Sequence, residues 1–179
     1  GNFYVDTSQR EHLDPEQVEW LKKDLASTDK RCILFSHECF ENTVQNRELV
    51  RGILEAENER CGFKKVIAAF SGHDHTNYTK EINGITYIQI NSASNQWVGE
   101  KYACLERFSE EINKRKPSLK YTVPYKDSLY AIVTLDSKSL KMKGRESSFI
   151  PPTPMDIGIP DTMYPFPLVP WIKDFDLRF

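Results

Sequence analysis

From residue 14 onward the apolar positions recur with the period of a helix. Val18, Leu21 and Leu25 fall at three- and four-residue steps, with Lys22, Lys23 and Asp24 between them as a wet face. Asp14 stands where an N-cap belongs, Pro15 suits the first helical position, and Gln17 completes a capping box. Residues 31–37 (RCILFSH) then form a continuous apolar run ending in polar residues, which predicts a strand buried on both sides. Residues 46–62 (NRELVRGILEAENERCG) return to the helical period, with Leu49, Ile53 and Leu54 expected inward and Gly62 as the C-cap. Residues 64–72 (KKVIAAFSG) predict another buried strand. With a short strand expected at Phe3–Thr7, the order is β-α-β-α-β, which predicts an α/β layered fold.

Residues 78–91 (YTKEINGITYIQIN) read as two strands joined at Asn83-Gly84, a dipeptide that accepts the positive φ angles of a tight hairpin. Residues 102–117 suit a helix ending before Pro117, and residues 128–144 a second hairpin turning near Asp136-Ser137. The pattern changes from Ile150, because seven of the ten prolines lie in residues 151–170. Proline lacks the N–H that a helix interior or an inner strand requires, so neither is expected there. Tyr164, Phe166, Leu168, Val169 and Trp171 make the segment too apolar for plain disorder, and it is expected to lie extended over the domain or a partner. The division expected is residues 1–149 and a proline-rich tail, 150–179.

Composition narrows this picture modestly. The chain has 179 residues, 39% hydrophobic and 28% charged, enough for a real core. A net charge of −2 gives no overall field favouring nucleic acid or an anionic membrane. No apolar run approaches the roughly 18 residues of a membrane span, and the start, GNFYVDTSQR, does not resemble a signal peptide. Cys32, Cys39, Cys61 and Cys104 have neither CxxC nor zinc-ribbon spacing and read mainly as small buried residues. The compartment stays open.

Candidate chemistry gathers on the histidines. His37 and His73 each follow a predicted buried strand, and His75 follows in a Gly72-His73-Asp74-His75 turn. In open α/β sheets the C-terminal strand ends border the ligand crevice. If the two strands are neighbours, their tips lie about 5 Å apart, and the three imidazoles could converge. Such a set suits zinc, iron or manganese, with Glu38 and Asp74 as acceptors for the outer ring nitrogens. Each histidine also has a plain reading as a solvated loop residue, and His12, with no partner near it in sequence, is read that way.

The order of these motifs resembles the C-terminal half of the calcineurin-like metallophosphoesterases. The resemblance is carried by LDPEQVEWL (residues 13–21), the strand ending in Ser36-His37, a helix, and the strand ending in Gly72-His73-Asp74-His75. It covers residues 3–145 and leaves out the tail. It implies half of a two-sheet β-sandwich flanked by helices, and hydrolysis of a phosphate ester by a metal-activated water. By position, His37 and His73 would bind one metal and His75 the other, with Asn91, Ser92 and Ser94 near the rim. The complete enzyme would use two divalent or trivalent ions, with zinc, iron and manganese as candidates.

The departure is equally plain. The family's Asp-x-His, Gly-Asp-x-x-Asp and Gly-Asn-His-Asp/Glu motifs do not occur, because no histidine has an aspartate two residues before it and no glycine precedes an aspartate. The expectation is therefore a chain inactive alone, holding at most one ion, since three imidazoles without a bridging carboxylate leave two cations uncompensated. Its missing N-terminal half would come in cis or as a separate chain, or the chain would pair with itself. The competing expectation is a non-catalytic binding or assembly module that keeps the histidines as relics. A cupin-like barrel would need a further histidine downstream, and none follows His75.

Overall fold

The computed structural model describes residues 10–161 and 166–179. The strand expected at residues 3–7, and Tyr164, lie outside the described residues. The described residues form a mixed α/β fold with a four-stranded, a three-stranded and a two-stranded sheet. They divide into two compact units, one running to His73 and including Tyr78–Gln89 and Phe179, the other comprising Asp74–Asn77 and Ile90–Arg178.

The first unit opens with α1 (Pro15–Ala26), and Asp14 caps it by accepting the Gln17 N–H at 2.7 Å. Val18, Leu21 and Leu25 are its buried stripe, as the spacing requires. The second helix, α2 (Arg47–Cys61), ends at Gly62, whose φ of +70° lets the chain turn left-handed where a Cβ would resist. Of the expected inward residues, Leu54 is fully buried and Ile53 packs against the core, but Leu49 is corrected: it is 52% exposed, and Val50 and Glu57 are buried beside Leu54. Glu57 joins the buried face with its carboxylate paired to Lys65, 2.5 Å away. Asn58 then pairs both its amide ends with the backbone of Val66, a side chain standing in for a strand neighbour at the entry to the next strand.

The four strands of this unit are β1 (Cys32–Phe35), β2 (Val66–Ser71), β3 (Tyr78–Ile82) and β4 (Ile85–Gln89). They lie in the order β1-β2-β4-β3, parallel between β1, β2 and β4, and antiparallel between β3 and β4. Every residue of β2 is buried, as its apolar run predicts. By contrast β1 is only half-buried and Phe35 is 77% exposed, which corrects the expectation of a strand buried on both sides; among the described residues β1 lies at the end of the strand order. The hairpin turns where expected, with Asn83 at φ +49° and Gly84 at φ +79°. Leu54, Val50, Val66, Ile85 and Tyr87 form the centre of the core, each large aliphatic contributing about 1.5–3 kcal/mol by leaving water.

The second unit holds β5 (Asn95–Trp97) paired with β6 (Thr122–Pro124), and β7 (Ala131–Leu135), β8 (Ser139–Gly144) and β9 (Phe175–Arg178) in one sheet. The β7–β8 turn is fastened by Asp136, which accepts from the backbone of Lys138 and Ser139. Between residues 102 and 117 only α3 (Glu110–Arg115) is α-helical, starting after Ser109 instead of at Tyr102. Beyond the prolines the chain supplies β9 and is fastened within this unit. Asn77 donates to the Trp171 carbonyl at 2.6 Å, and Asn91 to that of Val169 at 2.7 Å. Gly144 is required where this segment crosses β8, since a Cβ there would lie 1.8 Å from the Ile172 carbonyl oxygen.

Candidate metal centre

The parallel pairing of β1 with β2 sets Phe35 opposite Phe70, and the ladder continues past both strands. The Ser36 N–H donates to the Phe70 carbonyl at 3.0 Å, and that of Gly72 donates to the His37 carbonyl at 3.2 Å. The two strand ends therefore deliver His37 and His73 side by side. A turn closed by Ser36 Oγ donating to the Glu38 carbonyl brings Glu38 to the same place.

The side chains meet closely. His73 Nδ1 lies 3.1 Å from His37 Nε2, with the rings edge to face at 88° and centroids 5.1 Å apart. Glu38 Oε1 lies 3.2 Å from the same His73 nitrogen. The other carboxylate oxygen, Glu38 Oε2, is buried and has no hydrogen-bond partner among the described residues. One ligand atom from each of these three residues falls within a span of 4.8 Å.

This set fits a transition-metal ion. Adjacent ligands on a tetrahedral ion with bonds of about 2.0–2.1 Å stand roughly 3.3 Å apart, and cis ligands on an octahedral one about 3.0 Å. The separations of 3.1 and 3.2 Å fall in that interval. Two imidazoles and one carboxylate are also a donor set suited to zinc, iron or manganese. The carboxylate contributes the negative charge that three imidazoles lack. His73 is 43% exposed at its side chain and Glu38 26%, so an incoming ion has access. A groove of about 570 Å³ along α1 and β1 has Trp20, Phe35, His37 and Glu38 among its walls.

The remaining expected residues belong to the second unit. His75, at φ +53°, and Asp74 belong to the second unit and are not part of this three-residue group. Asn91 is buried, donates to the Val169 and Trp171 carbonyls, and accepts from the Tyr125 hydroxyl and the Ser92 N–H. Its amide is committed to holding the tail, and Ser92 follows it in that turn. Cys39 is fully buried and its thiol donates to Gln89, so it is core, as expected. Glu38 was expected only as a supporting acceptor; its place one residue after His37 is the signal that it can reach a ligand position.

Among protein-family models none matches this chain, and no curated protein matches it. Among solved structures it is similar to a dimetal phosphatase from Danio rerio, with a TM-score of 0.48 and 18% sequence identity, over 77% of this chain. The chain spans only 38% of the length of that protein. Among the described residues no helix is long and apolar enough to cross a membrane.

Proposed function

We propose that this chain is the C-terminal portion of a metal-dependent phosphoesterase domain and carries part of its metal site. The observation that supports this most is the convergence of His37, Glu38 and His73 at separations of 3.1 and 3.2 Å, at the ends of two adjacent parallel strands. The motif order from residue 13 to residue 75 adds to it.

In this reading His37, His73 and Glu38 hold one divalent ion through two ring nitrogens and one carboxylate oxygen. When bound, such an ion supplies Lewis acidity toward a phosphoryl oxygen and acidifies nearby water. The protein's own part is orientation and charge. The strand ends fix both imidazoles, and Glu38 offsets one positive charge, so a phosphate ester meets a site that is cationic but not prohibitively so. His75, with Asp74 beside it in sequence, serves a second ion once a further segment provides a bridging carboxylate. That segment comes in cis or as a separate chain, and the edge of β1 beside His37, which pairs with no further strand among the described residues, is where a neighbouring strand would carry its own end residues to the site.

The test is metal analysis of the purified chain together with hydrolysis of an aryl phosphate. One ion per chain and no turnover without the missing segment are expected, with turnover appearing when that segment is supplied. A chain that takes up no zinc, cobalt or manganese would overturn the reading and leave the histidines as relics in a non-catalytic module.

A further inference from the structure

Three side chains in the first unit meet on one buried oxygen. Gln89, the last residue of β4, is 2% exposed. The parallel register of β2 with β4 sets it opposite Ser71, so the two side chains emerge on the same face. Ser71 Oγ donates to Gln89 Oε1 at 2.6 Å, and Cys39 Sγ donates to the same oxygen at 2.8 Å. Cys39 is 0% exposed and Ser71 6%, so these bonds form away from water, where a lost partner is costly.

The chain positions of the two donors give this contact its meaning. Ser71 precedes Gly72-His73 on one strand end, and Cys39 directly follows His37-Glu38 on the other. One amide oxygen thus ties together the two loops that carry all three candidate ligands. Glutamine suits the task because a neutral carbonyl has two lone pairs for two donors and brings no buried charge. The Cys39 loop is held further by its own N–H, which donates to Thr43 Oγ1 at 2.9 Å.

We propose that Gln89 is a positioning residue for the metal site: through Ser71 and Cys39 it holds the His37–Glu38 and His73 loops at the spacing one ion requires. The inference rests on the phosphoesterase reading for what the site does, but the spacing it sets is measurable without metal. Residues that orient ligands in this way typically change metal affinity by about 10–100-fold when replaced.

The test uses the full chain with Gln89→Met, which keeps the volume but accepts nothing comparable, and the pair Cys39→Ala and Cys39→Ser. Zinc affinity is read by competition with a chromogenic chelator, and the nuclear Overhauser effect between the His37 and His73 ring protons is read without metal. Gln89→Met and Cys39→Ala should each weaken zinc binding by about tenfold or more and diminish the ring–ring signal. Cys39→Ser restores a donor to the same oxygen and should recover most of the affinity, which a mere packing role would not produce. A folded Gln89→Met with unchanged zinc affinity and an intact ring–ring signal overturns the proposal. If Gln89→Met does not fold, equal affinities for Cys39→Ala and Cys39→Ser overturn it instead. Should the unaltered chain bind no zinc, the phosphoesterase reading fails, and the ring–ring signal alone decides the positioning role.

Discussion

Replacing Glu57 by glutamine removes the counter-charge of an ammonium group that water cannot reach. Lys65 is 0% exposed, and its Nζ donates to Glu57 Oε1 at 2.5 Å and to the Leu25 carbonyl at 2.6 Å. Arg60 grips the same carboxylate from the wet side, Nε to Oε2 at 2.8 Å and Nη2 to Oε1 at 2.7 Å. Glu57→Gln leaves the ammonium facing one carbonyl and a neutral amide, and breaking a buried pair this way costs about 3–5 kcal/mol. Lys65→Met costs less, about 1–3 kcal/mol, because Arg60 continues to satisfy Glu57. Removing both charges with Glu57→Leu/Lys65→Met leaves no buried unpaired charge, only the Leu25 carbonyl without its donor, so the double variant should be more stable than Glu57→Gln. In a chain of this size each kcal/mol moves the thermal midpoint by about 2–4 °C, so Glu57→Gln should lower it by roughly 10 °C. Circular dichroism melts of the three variants read this directly. A Glu57→Gln midpoint within about 2 °C of the parent would refute the assignment of Lys65 as a buried, charged partner.

Two further outcomes follow from the same structure. Arg60, and after it Lys65, hold the Glu57 carboxyl down at about 2, from an ordinary 4.5. Its contribution to stability is therefore complete above pH 4.5 and fades as pH falls toward 2, so acid titration of the melting midpoint should show a loss in that window that Glu57→Gln does not show. Gly144→Ala places a methyl group 1.8 Å from the carbonyl oxygen of Ile172, which backbone cannot yield without lifting the terminal segment off β8. We expect a loss of about 3 kcal/mol or more and new protease cleavage in residues 166–174; an unchanged cleavage pattern would contradict that packing.

How far the sequence reached depended on the range of the interactions. Asp14 with Gln17, Gly62, and Asn83-Gly84 are local devices, and each stands where its residue type requires. On α2 the expected Leu54 and Ile53 do face the core, but the burial of Glu57 was not legible because its partner, Lys65, lies just before the next strand, where the helical period cannot announce it. The run ending in Phe35 was read as covered because an apolar run is alike in a strand buried on both faces and in one left half-buried. The helix expected from Tyr102 contracts to six residues because Ser109 caps it late, its side chain accepting from the Ile112 N–H. The prolines marked what the tail is not, yet its strand Phe175–Arg178 pairs with β8, more than thirty residues back in the chain. The His37 and His73 positions were legible as strand ends; that they touch followed only from β1 lying beside β2.

The central claim is that His37, Glu38 and His73 form one metal site. It is tested most directly by titrating the chain with cobalt(II) and following the visible absorption bands, with His37→Ala, Glu38→Gln, His73→Ala and His75→Ala in parallel. Saturation at one ion per chain is expected, with affinity reduced by about tenfold or more in each of the first three variants, and little change in His75→Ala. Undiminished binding in both His37→Ala and His73→Ala, or binding lost only in His75→Ala, would contradict it.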